Sequence, residues 1–257
     1  YGITLEWRTW DVKEFKGQKA QIHVNDLAEA RLVAVDQFVQ SDQGKTFPVN
    51  ATEYYKETVR PQYHFTAPSG WLNDPDGLVY YKGTWNMFYQ HVDVESDDKH
   101  WGHATSKDLV YWENKPIAIR ATDIYHIFSG TCVVDIDNDS GLKKGNEAPI
   151  LAFYTLRPKK SPPAAKVMPA GTLKAVQGFS YSTDGGKTFI PYEKNPVLIT
   201  ASGDYFDRDP AVFYEPSTDT WFLTVHHSGN NVTPRLEVGY GFYRSKNLID
   251  WEFVNEI

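Results

Sequence analysis

The chain is predicted to be all-β and built of β-propeller blades, and three observations carry that prediction. From Tyr63 onward, short apolar runs rich in β-branched and aromatic residues follow one another with turn residues between them. Helical periodicity is nearly absent. One pattern also recurs: Trp101 to Trp112, Gln177 to Phe189 and Val238 to Trp251 each join a strand, a Ser-x-[Asp/Asn] turn and an aromatic that opens the next strand. The shared serines, Ser106, Ser182 and Ser245, stand 76 and 63 positions apart. Each interval holds about four strands, the content of one blade. Chance recurrence of such turns is the alternative, and three matched contexts weigh against it.

Taken in order, residues 1–42 read as short strands at 5–10, 20–24, 32–35 and 38–39, the makings of part of a small sandwich-like piece. Residues 43–60 are polar and poorly periodic, and suit a linker or a segment lying across the next domain. Residues 61–257 form the propeller portion. Within it, Tyr80 to Tyr89 is a predicted hairpin around Lys82-Gly83, and Val212 to Val225 another around Glu215 to Asp219.

Composition narrows the function. With 26 basic against 33 acidic residues the net charge is −7, and no block of like charge suggests a nucleic-acid partner. Aromatics make up 15% of the chain, which favours a protein that stacks Trp and Tyr on sugar faces. Cys132 is alone, so no internal disulfide or cysteine-based metal site exists; it reads as a small buried hydrophobe. No apolar run approaches the roughly 18 residues that span a bilayer. Three N-x-[ST] sequons, at Asn50, Asn138 and Asn231, point weakly to secretion. His91, His100, His103, His126, His226 and His227 lack grouped partners at metal spacing, so no metal and no cofactor is implied.

The chemistry centres on Trp71-Leu-Asn-Asp-Pro-Asp-Gly77. Asp-Pro and Asp-Gly are turn dipeptides, so a tight turn before a strand, with Asp74 as a cap, is the plain reading. The bracketing Trp71 and the run Leu78 to Tyr81 make it instead a rigid mount for a carboxylate at a strand entrance. Arg208-Asp209-Pro210, after Asp207, is expected before the first strand of another blade, and Phe128-Ser129-Gly130 starts the blade between them. First strands line the propeller axis, so Asp74 and Asp209 should share one end of it, with Arg208 and Ser129 beside them. Paired carboxylates in a sugar-sized pocket are the apparatus of glycoside hydrolysis.

These motifs resemble glycoside hydrolase family 32, the invertase, inulinase and levanase family. Residues 71–77 match its W-[ML]-N-D-P-[ND]-G signature, and Arg60 to Phe65 lead into it. Tyr89-Gln90, Trp101-Gly-His-Ala104, Phe128-Ser129-Gly130 and Arg208-Asp209-Pro210 follow in family order. The resemblance implies a five-bladed propeller, of which about three blades are present, and a retaining transfer of a β-fructofuranosyl unit. Asp74 would be the nucleophile, kept ionised by turn N–H donors or Arg208. Asp209, oriented by Arg208, would hold fructose hydroxyls in the transition state. Asn73, Gln90, Trp101, Phe128 and Ser129 would bind the sugar.

Two departures from the family pattern stand out. The loop His91 to His100 lacks the additional Trp that members carry in a W-G-N stretch. The family's acid/base Glu sits in a W-E-C-P-like motif, and none occurs up to Ile257; Glu237, Glu252 and Glu256 lack that context, and Glu252 reads as a strand residue. The chain is therefore expected to be an internal segment of a longer secreted, periplasmic or cell-surface enzyme. Residues 1–42 resemble the end of an accessory β-sandwich, and a further polypeptide segment or chain is expected to complete the propeller and supply the Glu. The substrate implied is sucrose or a fructan. A fructosyltransferase and a non-catalytic fructan-binding protein are the alternatives.

Overall fold

A computed structural model describes residues 13–19, 54–56, 59–61, 63–92, 97–159, 174–200, 206–227 and 239–257. The strands expected within 1–42, and most of the 43–60 segment, lie outside them. Among the described residues, twelve strands form three four-stranded antiparallel meanders, with a 3-10 turn at Lys13–Phe15. The first sheet is β1 (Trp71–Tyr81), β2 (Thr84–Val92), β3 (Lys99–Ser106) and β4 (Trp112–Ile119). The second is β5 (Tyr125–Val134), β6 (Ile150–Pro158), β7 (Val176–Ser182) and the short β8 (Ile190–Pro191). The third is β9 (Arg208–Glu215), β10 (Thr220–His227), β11 (Gly239–Ser245) and β12 (Glu252–Glu256). Each sheet has the content of one propeller blade.

Both expected hairpins form. Lys82 and Gly83, with φ of 46° and 77°, join β1 to β2 in the left-handed backbone conformation that lets a two-residue turn match the right-handed twist of the strands. The β9–β10 hairpin turns through residues 216–219.

The sequence repeat becomes three copies of one turn, each ending the third strand of its sheet. Ser106 Oγ donates to Asp108 Oδ1 at 3.1 Å, and that oxygen accepts the Val110 and Tyr111 N–H groups at 2.9 Å. Ser182 donates to Asp184 at 2.7 Å, and Asp184 accepts Lys187 and Thr188 N–H at 3.0 Å. Ser245 and Asn247 repeat this with Ile249 and Asp250. Short polar side chains thus satisfy the backbone groups that a sharp turn strands.

Side chains between neighbouring sheets make the core. Phe88, Trp101, Ile127, Ile150 and Tyr154 fill the layer between the first and second. Phe153, Phe179, Val212, Trp221 and Leu223 fill the layer between the second and third. The first strands lie side by side, β1 against β5 and β5 against β9. Polar links lock that arrangement: Trp101 Nε1 donates to the Phe128 carbonyl at 2.9 Å, and Thr131 Oγ1 both accepts from Val212 N at 2.9 Å and donates to the Pro210 carbonyl at 3.2 Å. Gly130 is required here, because a Cβ would sit 2.0 Å from the Phe153 carbonyl oxygen.

The described part of the 43–60 segment packs on the first sheet. Arg60 donates to the carbonyls of Ala67 and Pro68 at 2.7 and 3.0 Å, and Asn114 on β4 bonds the Tyr55 hydroxyl.

Candidate active site

Turn residues were expected to precede the first strands; they lie inside them. Asn73, Asp74 and Pro75 are β1 residues, and Arg208, Asp209 and Pro210 open β9. Proline is tolerated because β1 and β9 are the inner edges of their sheets, where a missing N–H costs no ladder bond. Each first strand also carries a bulge at the same level. Asn73-Asp74 oppose Gln90 alone, between the pairs Leu72–His91 and Pro75–Tyr89. Phe128-Ser129 oppose Thr155, between Ile127–Leu156 and Gly130–Tyr154. Asp209-Pro210 oppose Val225, between Arg208–His226 and Ala211–Thr224. Bulges free a residue from the ladder and re-aim its side chain. Here three of them aim polar groups at one end of the axis.

The groups so aimed meet. Ser129 Oγ donates to Asp74 Oδ2 at 2.6 Å and accepts from Gln90 Nε2 at 3.1 Å, which fixes an exposed carboxylate from two strands. Asp209 has φ of 62°, a left-handed conformation costly for a side-chain-bearing residue and held by its surroundings. Its N–H donates to Thr155 Oγ1 at 3.0 Å, and that hydroxyl donates to Gln177 Oε1 at 2.7 Å. Arg208 Nε sits 3.3 Å from Asp209 Oδ2. Burial raises the Asp209 pKa, Arg208 opposes that, Asp74 adds to it, and His226 opposes it.

Around this floor, Lys99 Nζ lies 5.8 Å from the Trp71 ring and 5.9 Å from Phe128, and the Arg157 guanidinium lies 5.7 Å from Phe128. Asn73 is exposed beside Asp74.

The structure brings Asn73, Asp74, Gln90, Phe128, Ser129, Arg208 and Asp209 to one end of the sheets. Two details differ from the sequence reading. Trp101 is fully buried and reaches the site only through the Phe128 carbonyl, so it backs the wall and does not face a sugar. The donor that Asp74 receives is a hydroxyl, that of Ser129, while Arg208 serves Asp209. Glu252 and Glu256 are β12 residues, Glu252 paired with Arg244 at 2.9 Å, and Glu237 lies outside the described residues.

Sequence reasoning missed Asp76, Thr155 and His226. Asp76 stood two residues from Asp74, the spacing that puts two strand side chains on one face, but the turn reading concealed it. It is 2% exposed. Burial pushes its pKa up to about 8; the Gly130 N–H opposes that, Asp74 adds to it, Ser129 opposes it and Asp209 adds to it.

Comparison with known proteins matches residues 64–257 to the N-terminal domain of the glycosyl hydrolases family 32. The levanase of Bacillus subtilis (strain 168) is 38% identical over 207 residues, covering 80% of this chain and 27% of the levanase. The extracellular exo-inulinase of Aspergillus awamori is 35% identical over 222 residues, covering 79% of this chain and 39% of that protein. The structure of β-fructofuranosidase from Schwanniomyces occidentalis complexed with fructosyl-erythritol superposes with a TM-score of 0.63 at 32% identity, over 81% of this chain and 38% of the other. The chain spans well under half the length of these relatives.

Proposed function

This chain belongs to glycoside hydrolase family 32, and we propose that the complete protein is a retaining β-fructofuranosidase releasing terminal β-fructosyl units from sucrose or fructans such as inulin and levan. The observation that carries this reading is the Asp74–Ser129 hydrogen bond of 2.6 Å, set in a bulge and flanked by the Arg208–Asp209 pair. Asp74 attacks the anomeric C2 of the fructosyl unit; the glycosidic bond breaks and its oxygen takes a proton from a general acid. Water then resolves the fructosyl-enzyme ester, giving up a proton to the same group and freeing Asp74. Asp209 accepts hydrogen bonds from fructose hydroxyls, and these strengthen as positive charge grows on the ring. Asn73, Gln90, Phe128 and Ser129 line the sugar site.

The general acid is a Glu contributed by further polypeptide, and the same polypeptide closes a five-bladed ring. Both outer sheet faces support this. On one flank Leu78 and Tyr80 are each 53% exposed; on the other Phe213 and Tyr240 are 47% and 51% exposed. Apolar rows like these belong between blades. Export accords with the extracellular relative, and no helix among the described residues is long and apolar enough to cross a membrane.

The test is to incubate the complete protein with sucrose, inulin and levan and separate the products. Free fructose is expected from at least one; release from none would sink the hydrolase reading.

A further inference from the structure

Asp76 has no part in the reaction as described, yet it is among the most thoroughly buried carboxyls of the chain. Its Oδ1 receives the Gly130 N–H at a long 3.4 Å, and its Oδ2 has no hydrogen-bond partner. A buried carboxylate with one bare oxygen is an expensive arrangement. The charges around it make it more so. Asp74 lies on its own strand and Asp209 comes from β9, both negative, while Arg208 is committed to Asp209. From β5 come the Cys132 thiol, itself pushed up by burial and by Asp76, and the Ser129 hydroxyl. From β2 the residue opposite in register is Phe88. Among the described residues, no cation answers the charge that an ionised Asp76 would place there.

We propose that Asp76 is a positioning residue that works as a neutral carboxylic acid, its Oδ2–H directed toward the Ser129–Asp74 pair beneath the reacting sugar. Ser129 Oγ has one hydrogen, given to Asp74, and two lone pairs, one of them used by Gln90. The second can accept from Asp76. A donor on that lone pair polarises the hydroxyl and strengthens its bond to Asp74. The proton also keeps a third negative charge out of the floor, where it would oppose ionisation of the nucleophile and the binding of its partner carboxylate to fructose. The inference rests on Asp74 as nucleophile.

The test uses the complete protein and the variants Asp76→Asn and Asp76→Ala, with fructose release from sucrose followed across neutral and alkaline pH. In the parent, kcat/KM should lose an additional step centred near pH 8, steepening the alkaline limb. Asp76→Asn, whose amide donates and never ionises, should lack that step while losing roughly three- to tenfold in kcat at neutral pH. Asp76→Ala, which cannot donate at any pH, should lose roughly 10–100-fold in kcat per folded molecule at neutral pH and should also lack the step near pH 8. A parent and Asp76→Asn of identical alkaline steepness, or a fully active Asp76→Ala, would overturn the proposal. An infrared carbonyl band of a protonated carboxyl, titrating near pH 8 and absent from Asp76→Asn, reads the same group without substrate. A band titrating in the ordinary carboxylate range would also overturn it. A parent that shows the band but releases no fructose would instead defeat the hydrolase reading.

Discussion

The two ends of the blades are built by opposite rules. At the end where third strands finish, the same side chains recur: Ser106-x-Asp108, Ser182-x-Asp184 and Ser245-x-Asn247 make the same Ser-to-Asp/Asn hydrogen bond three times. At the end where first strands begin, the same backbone recurs, a two-against-one bulge in β1, β5 and β9, but its side chains differ every time: Asn73-Asp74, Phe128-Ser129 and Asp209-Pro210. Repetition of side chains marks a job done identically in each blade, which is closing a turn. Repetition of backbone with varied side chains marks one site assembled from unlike parts. If the contrast is right, substitutions at one end should change activity without stability, and substitutions at the other the reverse.

The largest effect falls at the bulge end. Asp74→Ala in the complete protein should reduce fructose release by roughly 10⁴–10⁶-fold, with a melting temperature close to the parent's. Near-normal turnover would refute the nucleophile. Next comes the pH dependence of stability. Folded Asp76 holds its proton to about pH 8, whereas the unfolded chain releases it near the ordinary 3.8. The folded state therefore binds the extra proton between those limits, and stability falls as pH rises through them. Each tenfold change in proton affinity is worth about 1.4 kcal/mol, so the stability lost across that range is on the order of 6 kcal/mol. Denaturant titrations at several pH values should show this decline, and Asp76→Asn should flatten it.

Smaller still, Ser129→Ala removes a bond to a charged group and should cost about 10–100-fold in kcat/KM while barely moving the unfolding midpoint. At the opposite end, Asp184→Ala strands the Lys187 and Thr188 N–H groups. It should lower stability by about 1–2 kcal/mol, read by denaturant melts, and leave kcat per folded molecule unchanged. A loss of activity there would mean that the two ends are coupled, and the contrast would need revising.

What the sequence revealed divides along the same line. The turn end was legible, because a Ser-x-Asp turn is local and its residues announce it. Most of the candidate site was legible too, since Asp74, Ser129 and Asp209 sit in strings that stand out one by one. The bulges were not. A bulge is a property of pairing, visible only once Gln90, Thr155 and Val225 are found opposite two residues each. For that reason Asp-Pro-Asp-Gly looked like a turn and proved to be strand. The burial of Asp76 and Trp101 was hidden for a related cause: it is set by β5, which reaches β1 from more than forty residues away.

Pro75 and Pro210 carry one more consequence. Inner strands expose an unpaired edge along the axis, and in a partly assembled chain that edge is free to recruit a strand from another molecule. A proline removes one donor there, and the adjacent bulge throws off the spacing of the next. A foreign strand would find no continuous ladder. Two prolines of the candidate site thus also guard the newly made polypeptide against strand-to-strand aggregation.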